Sequence, residues 1–190
     1  MAKKKHFIYL ITKLAIFTLL AVLVLVTRDK QVEHLKPFIG SLMLLYGVEG
    51  LFYEAFFHHL HIIHEPKSYL SLIELIFGIV LIVAPLAFEY VCIIWATWSI
   101  VRESYEIKEL VSDYKSITPR ILSGAESVAV IVFSIMLILE PGEHHALIHM
   151  SLLVVELILN PLTVLLDEII VHSKEKKRAK ALEQQKASEK

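Results

Sequence analysis

The sequence predicts an all-α, polytopic membrane protein: a bundle of six transmembrane helices built as three related helical hairpins. Three observations predict it. Of the 190 residues, 56% are hydrophobic, more than the roughly half expected of a soluble domain. These residues fall in long blocks, each near the roughly 20 positions a helix needs to cross a hydrocarbon layer of about 30 Å. The blocks are also apolar throughout. A membrane β-barrel, the other structure that satisfies every backbone group in lipid, needs period-two alternation instead.

The blocks cover residues 7–26, 37–57, 69–84, 86–107, 121–139 and 146–166. The first is longer than the apolar part of a signal peptide, about 7–15 residues, and residues 24–29 offer no small-x-small cleavage site, so it reads as a retained span. The third and fourth are separated only by Pro85, and the fourth carries charge at both ends. Short turns join the spans pairwise into hairpins at 7–57, 69–107 and 121–171, with longer polar connections around 58–68 and 108–119. A basic N-terminus (1–6), a membrane domain (7–172) and a charged tail (173–190) follow from this division. The tail is rich in Ala, Glu, Gln and Lys, the composition of a solvated helix or a disordered end.

Charge sets the orientation. Lys3, Lys4 and Lys5 precede the first span, and Lys174, Lys176, Lys177, Arg178 and Lys180 follow the last. Lys67, Lys108, Lys115 and Arg120 lie in the second and fourth connections, whereas the third and fifth carry neither Lys nor Arg. The positive-inside rule therefore places both termini in the cytoplasm, and the expected location is a cell (inner or plasma) membrane. Arg28, Lys30 and Lys36 in the first connection run against that pattern. The lipid bilayer is the expected partner, with anionic head groups at the basic ends. A homo-oligomer is compatible with the pattern, and nucleic acid is not expected, because glutamates intersperse the tail's basic residues.

A repeat of about 50–56 residues is visible in places. Residues 76–85 (IFGIVLIVAP) close the third span as residues 132–141 (VFSIMLILEP) close the fifth. Tyr46-Gly47 through Tyr53-Glu54 parallels Trp98-Ser99 through Tyr105-Glu106. Three hairpins in this length, with Gly-Ile-x-x-Ile-x-x-Pro at a hairpin tip (Gly78 to Pro85), resemble the HdeD-type acid-resistance membrane proteins of bacteria. The resemblance covers residues 7–167 and implies six spans, no enzymatic activity and a link to acid or general stress. Ser134 stands where the third hairpin would have its glycine, and Thr27-Arg28 where the first would have its proline.

No soluble catalytic signature is present: no Walker loop, His-Glu-x-x-His, Gly-x-Ser-x-Gly or Cys-x-x-Cys. The single cysteine, Cys92, excludes an internal disulfide and a Cys-based zinc site. A non-enzymatic protein without a cofactor is expected. The informative residues are polar groups within apolar spans, where an ionised side chain costs about 2.5–3.5 kcal/mol and faces a helix interface or cavity.

His145, His149, Glu156, Asn160, Thr163 and Asp167 in the sixth span fall within a helical stripe roughly 60° wide. Helix packing through polar contacts and a protonatable relay both fit this stripe. Pro161 beside Asn160 removes a helical hydrogen bond. Glu49, Glu54, Glu74 and Glu126 are further candidate buried carboxylates. Low dielectric favours the neutral acid, making Glu49 and Glu156 candidate proton-binding groups. Ten histidines also invite a metal reading. Glu54, His58, His61 and Glu65 share a helical face, and imidazoles with carboxylates bind zinc-like ions; protonation at about pH 5–8 suits the same histidines. Two functions remain open. One is a pH-responsive protein of the HdeD-like stress type; the other is a small channel or transporter for protons or divalent metal ions, with Glu156 and Asn160 on its path.

Overall fold

The computed structural model describes residues 2–57, 66–112 and 115–188. Among the described residues the chain is all helical, with six helices and no strand: α1 (Ala2–Glu33), α2 (Leu35–Phe57), α3 (Pro66–Val83), α4 (Phe88–Ser112), α5 (Ile117–Leu139) and α6 (Glu143–Ser188). Four stretches, His6–Thr27, Leu35–Phe56, Ile117–Leu139 and Glu143–Arg178, are long and apolar enough to cross a membrane. The apolar stretch Ser68–Val83 of α3 is shorter. α4 carries Glu89, Arg102, Glu103, Glu106 and Lys108, and this charge keeps it outside the group of four.

Local sequence explains the helix ends. Pro37 lacks the N–H that would bond the Glu33 carbonyl, and its ring crowds that oxygen, so α1 stops at Glu33. The connection to α2 is then a single residue, His34, bonded to the Lys30 carbonyl at 3.3 Å and accepting from Phe38 N at 3.2 Å. Residues 27–36, expected as a polar turn, are thus almost wholly helical. Lys36, one of the cations at odds with the charge rule, donates its Nζ to the Ala84 carbonyl at 2.8 Å. It satisfies the carbonyl-rich end of α3, where a cation is favoured. Pro66 opens α3, and Glu143 sits in the first turn of α6, both favoured there. The tail continues α6 to Ser188, through Pro161 and past residue 173.

The chain divides into two compact units, one of residues 1–26, 103–131 and 151–190, the other of residues 27–102 and 132–150. In the second unit α2 and α3 pack antiparallel, with Gly40 against Gly78 and Ile82 and Gly47 against Ser71 and Leu75. A Cβ on Gly47 would lie 2.7 Å from the Ser71 carbonyl oxygen, and one on Gly78 would lie 2.8 Å from the Gly40 carbonyl oxygen. Only glycine allows the two backbones this close.

The distribution of side chains is that of a protein in lipid. Large apolar residues stand outward along the helices, Leu19 at 72% exposure and Leu139 at 78% among them. Glutamate, serine and arginine side chains are buried on the opposite faces. Replacing Gly47 with alanine is expected to lower stability by about 1–3 kcal/mol, because backbone atoms cannot yield to the added methyl. Gly142→Ala, with open space around its would-be Cβ, is expected to be neutral. Thermal melts of the detergent-solubilised protein check both.

Candidate functional site

Three of the longest helices each bring one carboxylate to a common point in the first unit. Glu103 of α4, Glu126 of α5 and Glu156 of α6 have carboxylate oxygens that all lie within 4.8 Å of one another. All three side chains are buried, Glu103 completely. Helical spacing accounts for this. Glu103 lies seven residues from Ala96 and seven from Leu110, both buried, so it belongs to the inward seam of α4. Glu126 shares its buried face with Ser123, Val130 and Ser134, and Glu156 falls midway between His149 and Thr163, both buried. Ser127, also fully buried, has no hydrogen-bond partner for its hydroxyl among the described residues.

The α6 stripe is divided in its surroundings. Glu156, Asn160, Thr163 and Asp167 belong to the first unit, His145 and His149 to the second. Thr163 Oγ1 donates to the Asn160 carbonyl at 2.9 Å, beside Pro161. Asp167 accepts from the backbone N–H groups of Ser116 (2.7 Å) and Lys115 (3.2 Å), closing the entry to α5. Its negative charge there complements the helix N-terminus, which gives Asp167 a structural task at the end of the span.

In the second unit His149 is buried against Trp95, with ring centroids 4.5 Å apart, and its Nε2 lies 3.2 Å from Ser99 Oγ. His145 is half-buried, with Nδ1 4.0 Å from the exposed carboxylate of Glu140. A second polar group is built around Arg102. Its guanidinium lies over the Tyr46 ring at 3.4 Å, and Tyr46 packs on Trp98 with centroids 5.8 Å apart. Trp98 Nε1 donates to Glu74 Oε1 at 3.1 Å. Flat guanidinium on aromatic face is the arrangement that lets arginine enter an apolar interior.

Of the remaining predicted acids, Glu54 is buried and Glu49 half-buried. His58, His61 and Glu65 lie outside the described residues, so the four-residue metal face with Glu54 is represented only by Glu54. Sequence reasoning missed Glu103. The signal available was the seven-residue spacing of Ala96, Glu103 and Leu110 on α4.

No protein family, curated protein or solved structure matches the chain.

Removing the indole donor by Trp98→Phe is expected to destabilise by about 1–3 kcal/mol, since Glu74 stays buried without that contact. Glu74→Leu also destabilises, and the double variant costs less than the sum of the two. Denaturant titration of the four proteins in detergent measures the coupling.

Proposed function

We propose that this chain is a non-enzymatic, multi-pass protein of the cell membrane whose buried carboxylates bind and release protons, so that helix packing responds to pH. In this reading all six helices cross the bilayer, in three related hairpins and with both termini cytoplasmic. α3 is a short span, and α4 crosses with its charged side chains turned to its neighbours.

The observation that carries the proposal is the convergence of Glu103, Glu126 and Glu156, buried and within 4.8 Å. Two unit charges at that separation repel by about 3–4 kcal/mol at an effective dielectric of about 20. Three ionised groups together multiply that repulsion, and sharing protons among them relieves it, as in paired catalytic aspartates. Such a cluster titrates as a unit, and no single residue owns its protons. A proton-responsive bundle suits the acid- or general-stress role that the HdeD-like resemblance implies.

A cation pathway is the second reading, because the same three residues offer ligand atoms close enough for a metal ion. Calcium takes about 6–8 oxygen ligands and magnesium a near-octahedral set. Carboxylates ligate such ions through one oxygen or both, so the three glutamates suit a hydrated ion as well as shared protons.

Infrared spectroscopy of the protein in liposomes tests the choice. Proton sharing predicts a carboxylic-acid C=O band that shifts in deuterated solvent, titrates with pH and weakens in each of Glu103→Gln, Glu126→Gln and Glu156→Gln. Absence of that band at every pH, or a spectrum altered only by added zinc, manganese or calcium, would sink the proton reading.

A further inference from the structure

At one end of the first unit, the start of α1 and the last apolar turns of α6 line a groove of about 660 Å³. This is the size of a small-molecule site, about 300–1,000 Å³. Phe7, Ile169 and Val171 give it apolar walls. Lys115 and Lys176 bring positive groups to it, His172 an imidazole, and Glu168 and Glu175 carboxylates.

The groove lies where both helices change character. The apolar stretch of α1 begins at His6, and in α6 the run Ile169-Ile170-Val171 gives way to residues 173–180, five of them Lys or Arg. That change marks the level of the lipid head groups, where apolar and charged surfaces meet. The geometry is also held in place. Asp167 fixes the backbone of Lys115 through the N–H bonds already described. His6 Nε2 lies 3.8 Å from Glu168 Oε2, which places the start of α1 beside α6.

We propose that this groove binds the head group of a zwitterionic glycerophospholipid bearing a primary amine, as in phosphatidylethanolamine. The phosphodiester meets Lys115 and Lys176, the ammonium meets Glu175, and the upper acyl chain lies along Phe7 and Ile169. The mixed sign of the lining selects this chemistry. A purely anionic head group would be repelled by the Glu168 and Glu175 carboxylates on the same lining. A trimethylammonium head group has no N–H to donate to a carboxylate. Diffuse attraction of the basic termini to anionic lipid gives the opposite preference. The inference rests on the chain lying in a bilayer and not on proton binding by the glutamate cluster, so the two fail separately.

Native mass spectrometry of the delipidated full chain, offered phosphatidylethanolamine, phosphatidylcholine and phosphatidylglycerol together, provides the test. The expected result is preferential retention of phosphatidylethanolamine, by roughly tenfold, insensitive to an equal concentration of inorganic phosphate. Lys115→Ala with Lys176→Ala removes that retention, Lys176→Arg preserves it, and Glu175→Gln brings phosphatidylethanolamine down to the level of phosphatidylcholine. Equal retention of all three lipids, preference for phosphatidylglycerol, or displacement by free phosphate overturns the proposal. The comparison of lipids on the unaltered chain stands even if a variant fails to fold.

Discussion

Hydrocarbon offers no hydrogen bonds, and that single constraint organises the rest of this protein. Acids, hydroxyls and guanidinium groups are better placed against other helices than against acyl chains, while leucine, valine and isoleucine can face outward without cost. The side-chain distribution follows: Glu54, Glu74, Glu103, Glu126 and Glu156 are buried, and Ile8, Leu23, Ile76, Val128 and Val132 are exposed. In water the same arrangement would bury costly polar groups and expose a large apolar surface.

Helices that carry polar groups inward must also approach closely, and the chain does this in two ways. α2 and α3 use glycine, so that backbone meets backbone at Gly40, Gly47 and Gly78. α4 uses large side chains that satisfy one another: Trp98 holds Glu74, Arg102 lies on Tyr46, and Ser99 meets His149. The first device brings stability through packing, and the second lets α4 bury its charged and polar side chains. The residue after Arg102 on α4, Glu103, enters the carboxylate cluster. The same helix thus presents a guanidinium stacked on an aromatic ring in one unit and a carboxylate of the cluster in the other.

Much of the helical architecture was legible because the apolar blocks are long and their ends carry strong breakers. The apolar block expected at 69–84 ends one residue past α3, whose apolar stretch is shorter than the four membrane-long ones. The block at 121–139 ends with α5 at Leu139. Periodicity also places small and polar residues together: Ser71, Glu74 and Gly78 on α3, and Ser123, Glu126, Ser127 and Ser134 on α5, are all buried. The first connection was not legible in this way. Its charges suggested an open polar turn, whereas helical propensity carries α1 to Glu33 until Pro37 intervenes. The site was legible only in part. Glu126 and Glu156 stand out as acids within apolar runs, but Glu103 is flanked by other charges, and which acids meet depends on helix rotations that one sequence does not specify. The same limit applies to Asp167, whose place in the α6 stripe gave no hint that it closes the entry to α5.

The meeting of Glu103, Glu126 and Glu156 is therefore the point on which the functional reading stands. Thiol cross-linking in liposomes measures it most directly, with cysteines introduced in pairs at 103, 126 and 156 after Cys92, the only native cysteine, is replaced by alanine. A short bifunctional reagent should join all three pairs, and should fail to join position 103 to a cysteine at the outward-facing Val128. Linkage through position 128 in preference to 126, or no linkage between any of the three pairs in folded protein, would contradict the convergence.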